Sequence, residues 1–226
     1  MSISPGSRWD TTTSTTTPTI YQLRAVVHGV SPVIWRRLLV PAESSIAELH
    51  TILQTAFGWT DEYLHRFVIH GVEYGAHSFA GPFRDDARQI RLDGLGLRIT
   101  ERFTYHYNFI ADWRLDLRLE QKLPATAGRI YPRCSGGGCA GPPQDWAGPW
   151  DYLEHTQPYL VFEAILRAAE IISQLLDADE EQDWASVGVH RAELAGLAPL
   201  LGLEHFDRHA LNQALAQRGA ASRGVA

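Results

Sequence analysis

The chain has 226 residues, 45% of them hydrophobic, and a formal net charge of −6. That length and composition support one large domain, or one domain with an appendage, around a real core. The negative balance argues against broad, charge-driven binding to DNA or RNA and leaves room only for a local basic face.

Residues 1–18 are Ser/Thr-rich and apolar-poor, the composition of a disordered tail. Tyr21, Leu23, Ala25 and Val27 then alternate with polar residues, the period of a half-buried strand. Gly29-Val30-Ser31-Pro32 supplies turn chemistry, and Val33 to Val40 reads as a second strand closed by Pro41. Ser45 with Glu48 three positions later forms a capping-box pattern, and Ile46, Leu49, Ile52, Leu53, Ala56 and Phe57 share one helical face. Gly58 stands where a left-handed C-cap belongs. Leu64 to Tyr74 resumes an extended pattern, completing a ββαβ order.

Polar, glycine-punctuated sequence follows from Gly75 to Thr100, with room for a short helical turn after Asp93. Phe103, Tyr105, Tyr107 and Phe109, then Trp113, Leu115, Leu117 and Leu119, spell a hairpin. Arg129 to Tyr152 is rich in glycine and proline, which predicts a long irregular loop of the kind that often carries function. Val161, Ile165, Ala168, Ile172 and Leu175 mark one helical stripe, and an acidic connection follows Leu176. A last helix begins after Asp207 as N-cap, and the tail from Gly219 is expected to fray. The expected class is α+β: a mainly antiparallel sheet built on the ββαβ unit plus the later hairpin, with C-terminal helices. The division is 1–18 tail, 19–176 domain and 177–226 helical extension packing on it.

Two cysteines do not make a disulfide framework, and no apolar run approaches the ~20 residues of a membrane span. The N-terminus lacks a signal-peptide layout, so the expectation is a soluble, cytoplasmic protein with no membrane partner.

Three motifs occur in order: Val33-Ile34-Trp35-Arg36-Arg37; Leu49-His50 through Phe57-Gly58-Trp59 to Leu64-His65-Arg66-Phe67; and Tyr131-Pro132 through Cys134 to Pro142-Pro143-Gln144-Asp145. In this combination the chain resembles the plasmid pRiA4b ORF-3-like family, whose members are often labelled transposon-passenger "TnpR-like" proteins. The resemblance covers roughly Tyr21 to Tyr152, with Phe206-Asp207 and Leu211-Asn212 similar to the family's closing helix. It implies an α+β domain, a plasmid or mobile-element association, and no particular chemistry. A serine resolvase needs a serine nucleophile, an arginine cluster and a separate DNA-reading module, and that architecture is not found in this sequence. The chain also departs from the family pattern. Tyr63-Leu64-His65 stands where relatives have His-Leu-His, and Tyr107 to Leu115 lacks an acid, a glycine, a second acid and a histidine of the family's turn.

His28, His50, His65, His70 and His77, with Cys134 and Cys139, are zinc-ligand types, but a closed zinc site needs four and C-x4-C has no partner pair. His65, Cys134 and Cys139 are the metal candidates against ordinary hydrogen-bonded side chains, and no cofactor is assigned. Cys134, His65 and Asp112 make a Cys-His-Asp set on paper, against a simple half-buried thiol. Arg36 and Arg37 beside Trp35 suit a phosphate or a base, but more often such arginines bridge across a sheet. Trp59, Trp113, Trp146 and Trp150 divide between core and loop, with Trp146 and Trp150 the binding aromatics. Gly136-Gly137-Gly138 lacks the lysine and hydroxyl of a phosphate loop.

The leading expectation is a non-enzymatic interaction or accessory module. It engages a protein partner through the Tyr131 to Tyr152 loop, including Asp145, and neighbouring residues. A metal or cysteine enzyme near His65, Asp112 and Cys134 is the second reading, and a DNA-associated recombination factor, opposed by the net charge, the third.

Overall fold

The computed structural model describes residues 17–75, 87–177, 184–203 and 205–223. All but the last two residues of the expected tail lie outside these, as do His77 and the acidic connection at 178–183.

The elements run β1 (Thr19–Val27), β2 (Trp35–Pro41), α1 (Ile46–Phe57), β3 (His65–Ile69), β4 (Val72–Gly75), β5 (Arg102–Tyr107), β6 (Trp113–Pro124), β7 (Arg133–Gly138), α2 (Pro149–His155), α3 (Pro158–Asp177), α4 (Trp184–Leu201) and α5 (Arg208–Arg223). The strands form one antiparallel sheet in the order β4-β3-β5-β6-β1-β2-β7. The class is α+β, as the periodicities imply. The β5–β6 hairpin is inserted between β1 and β3, so β3 of the ββαβ unit is not a neighbour of the paired β1 and β2.

Alternation decides which side of the sheet is buried. Leu23, Ala25, Leu38, Leu115, Leu117 and Phe67 are fully buried on one face, against Leu49, Leu53 and Phe57 of α1. Both halves of the capping box form: Ser45 Oγ accepts from Glu48 N–H, and Glu48 accepts from Ser45 N–H. Gly58 closes the helix in the left-handed conformation at φ 77°. The stretch from Leu64 to Tyr74 is divided by His70 and Gly71, both at positive φ, into the hairpin β3–β4.

Three expectations are corrected. The glycine-rich region contains a strand and a helix, because β7 pairs with β2 and only glycine fits its flanks. A Cβ at Gly138 would stand 2.8 Å from Trp35 Nε1, and one at Gly137 would overlap the Phe206 ring. On α3 the buried line is Ala164, Ala168 and Ile171, while Ile165 and Ile172 are half exposed. The bidentate Arg167–Glu193 pair ties α3 to α4. Finally, α5 runs through Gly219 to Arg223. Its start is capped by Asp207, whose Oδ1 accepts from His209 and Ala210 N–H, and Leu211 and Leu215 are buried.

Candidate functional site

A polar cluster lies where α1 meets β3 and β5, buried at His50, Gln54 and Tyr105 and open at Asp61, whose side chain is 58% exposed. His50 and Gln54, one helical turn apart, are both buried. His50 Nε2 lies 2.8 Å from Asp61 Oδ1, and its Nδ1 lies 2.8 Å from the Tyr105 hydroxyl. Gln54 Nε2 donates to that hydroxyl at 2.7 Å, while Gln54 Oε1 accepts from Asp61 N–H at 3.0 Å. With His50 neutral, donor accounting assigns the protons. Gln54 donates to the phenol oxygen, the phenol donates to Nδ1, and Nε2–H donates to Asp61. The four residues close a hydrogen-bonded circuit, with Asp61 held at φ 63°.

His65 lies flat against His50, ring centroids 3.5 Å apart and planes 9° from parallel. Burial, followed by the neighbouring His50, lowers the His65 pKa to about 4, and burial also lowers that of His50. Donor atoms of His50, Asp61 and His65 lie within 4.8 Å of one another, the number and type of ligands in an open two-histidine, one-carboxylate metal site. The geometry works against that use. A metal in the plane of one stacked ring lies well out of the plane of the other. Metallating Nε2 also moves its proton to Nδ1, leaving the phenol O–H without an acceptor in the circuit. As it stands, the circuit commits His50, Gln54 and Tyr105 to one another and to Asp61, and His65 packs on it through its ring.

Of the histidines weighed from sequence, His50 and His65 belong to this cluster. Asp61, Gln54 and Tyr105 were missed as their partners, although the i, i+4 pair His50/Gln54 was a signal on the core side of α1. Cys134 on β7 stands five strand spacings from His65 on β3, about 24 Å. Its backbone N–H and C=O are both bonded by the Asn212 side chain, which finishes the exposed edge of β7. Its thiol donates to Gly136 O, and burial raises the thiol pKa. Asp112 sits in the β5–β6 turn, 3.7 Å from His106. The Cys134, His65 and Asp112 side chains are therefore not brought together, and no described metal-ligand group includes Cys134 or Cys139.

Arg36 is buried and structural. Nε donates to Ala56 O at the end of α1, and Nη1 donates to Trp35 O and Gly138 O. Its guanidinium lies over the Phe57 and Phe206 rings, and burial draws its pKa down to about 10. Arg37 is bidentate to Glu120 across the sheet. Trp113 is core, edge-on to Tyr152. The loop before α2 is docked rather than free: Trp59 Nε1 donates to Pro142 O, and buried Gln144 bonds Thr60 and Tyr107. Asp145 accepts from Tyr63, and Trp146 packs on Tyr152 and His155. Trp150 is 82% exposed. Tyr131 lines a separate cavity of about 630 Å³ with Ile20, Thr51, Arg129 and Arg218.

The sequence model of the plasmid pRiA4b ORF-3-like proteins matches residues 19–160. The chain belongs to that family. Within reach of it, the uncharacterized protein y4hQ of Sinorhizobium fredii is 32% identical over 141 residues, 60% of this chain and 70% of that relative. The crystal structure of MM3350, a protein of unknown function from Methanosarcina mazei Go1, superposes with a TM-score of 0.62 at 26% identity, covering 86% of this chain and 98% of that one. The family match takes in β1 to α2 and the start of α3. The buried circuit and the docked loop therefore lie inside the matched part, while α4 and α5 lie beyond it.

Proposed function

We propose that the chain is a non-enzymatic interaction module that grips a protein partner by the rim formed where the β5–β6 turn meets the start of α2. One observation carries this reading. Ile110 and Trp150 are 97% and 82% exposed, and they flank a contact so close that a Cβ on Gly148 would overlap the Ala111 carbonyl. The rim is rigid: Asn108 N–H donates to Leu64 O, its side chain accepts from Ala111 N–H, and its amide donates to Gln144 O. An exposed tryptophan beside an exposed isoleucine on a preorganised support suits a binding anchor. The commitment of both His50 nitrogens and the Cys134 thiol to internal bonds supports a non-enzymatic role. Cys134 and Cys139 are thiols and not a disulfide, which suits a reducing compartment, and we place the module in the cytoplasm. No described helix is long and apolar enough to cross a membrane.

The test is a photo-crosslinking residue at position 110, with half-exposed Ile99 as the control position. A discrete protein adduct from position 110 alone, lost on Trp150→Ala, is expected. Equal adducts from both positions, or none from 110, would overturn the reading.

A further inference from the structure

The register of the sheet lines up charges that a fold by itself has no reason to align. Arg37 faces Arg24, Arg24 faces Arg118, and Arg118 faces Arg102, one row across β2, β1, β6 and β5. Like charges directly opposite one another destabilise a sheet. Arg37 is held by Glu120, but Arg24, Arg102 and Arg118 make no ion pair among the described residues. A second row runs Arg66, His106, Arg114 across β3, β5 and β6. These positions alternate with the buried ones, so both rows lie on the face opposite α1, where Arg102 and Arg118 are exposed. The Nε atoms of Arg24 and Arg66 are buried without a hydrogen-bond partner. Six arginines on the two rows stand against three carboxylates on the same strands and β4, Glu73, Asp116 and Glu120, in a chain whose formal net charge is −6.

Aromatic rings flank the rows. Trp35 lies under the Arg24 and Arg37 guanidiniums at 5.1 and 5.5 Å, and Phe109, 45% exposed, lies 5.3 Å from Arg66. We propose that this arginine-rich face binds a single strand of nucleic acid. The inference rests on the arginine rows and not on the rim, although Phe109 stands in the β5–β6 turn beside Ile110. Guanidinium forks pair with phosphates, and bases stack on aromatic rings and arginine planes. A duplex keeps its bases stacked and offers nothing to Phe109 or Trp35, so the interleaving of rings with cations selects the single strand.

The experiment uses the full chain and fluorescein-labelled oligo(dT) and oligo(rU) of about 20 nucleotides, with heparin as a polyanion that carries no bases, read by anisotropy at low salt of about 50 mM. Binding is expected to one or both strands, falling with salt at about −0.7 in log–log slope per phosphate contacted. The double substitution Arg102→Gln/Arg118→Gln should weaken binding by roughly tenfold or more and flatten that slope. The same variant should melt no lower than the parent, because it removes an opposed pair; a merely structural row would melt lower. Phe109→Ser should weaken oligonucleotide binding and leave heparin binding unchanged. No binding to either oligonucleotide, full affinity in the double variant, or binding indifferent to Phe109 and matched by heparin would each overturn the proposal.

Discussion

The imidazole of His65 lies against that of His50 like one page on another, the centroids 3.5 Å apart. Two neutral rings can share that contact, but protonating either places a charge in a buried site.

Stability should therefore depend on pH through His65. Its folded pKa, about 4, lies below its ordinary value of 6.5, first because of burial and then because of His50. A base with a depressed pKa contributes stability above the unfolded value, and that stability is lost as pH falls from about 6.5 toward 4. The size is on the order of 3 kcal/mol. Urea midpoints from neutral to acid pH should fall more steeply for the parent than for His65→Phe, which keeps a ring on His50 and removes the titration. Parallel profiles would contradict the assignment.

Arg36 ties the end of α1, β2 and β7 together through three carbonyls. Lysine keeps the charge but not the planar fork. Arg36→Lys should cost on the order of 2 kcal/mol in chemical denaturation. Arg37→Lys, at a half-exposed pair with Glu120, should cost less than about 1 kcal/mol. Equal costs would show that Arg36 is not the clamp.

At Gly137 the obstacle is a single ring. Gly137→Ala should lower stability by about 1–3 kcal/mol by pushing Phe206 aside. Adding Phe206→Ala should make the double variant better than the sum of the two losses, and additive losses would place the strain elsewhere.

Burial and the bond to Gly136 O make Cys134 a quiet thiol, with its pKa raised. Iodoacetamide at neutral pH should modify it slowly in the native protein and quickly in urea. Rapid native labelling would contradict this environment.

What could be read from sequence was local. Ser45, Glu48 and Gly58 announce α1 because each cap is made within one turn, and the alternation of β1, β5 and β6 reports one buried face. β7 was hidden because its glycines are chosen by Trp35 and Phe206, which come from distant parts of the chain. The pairing of His50 with His65 and the burial of Arg36 likewise depend on tertiary placement. The arginine rows need the register of four strands, and no window of sequence shows that Arg24 faces both Arg37 and Arg118.

The claim that the chain works by two surfaces is tested most directly by crossing two variants. Ile110→Ser/Trp150→Ala should lose the partner captured at the rim while oligonucleotide anisotropy is unchanged. Arg102→Gln/Arg118→Gln should do the reverse. If both variants keep the partner and the oligonucleotide alike, neither surface is the one the protein uses.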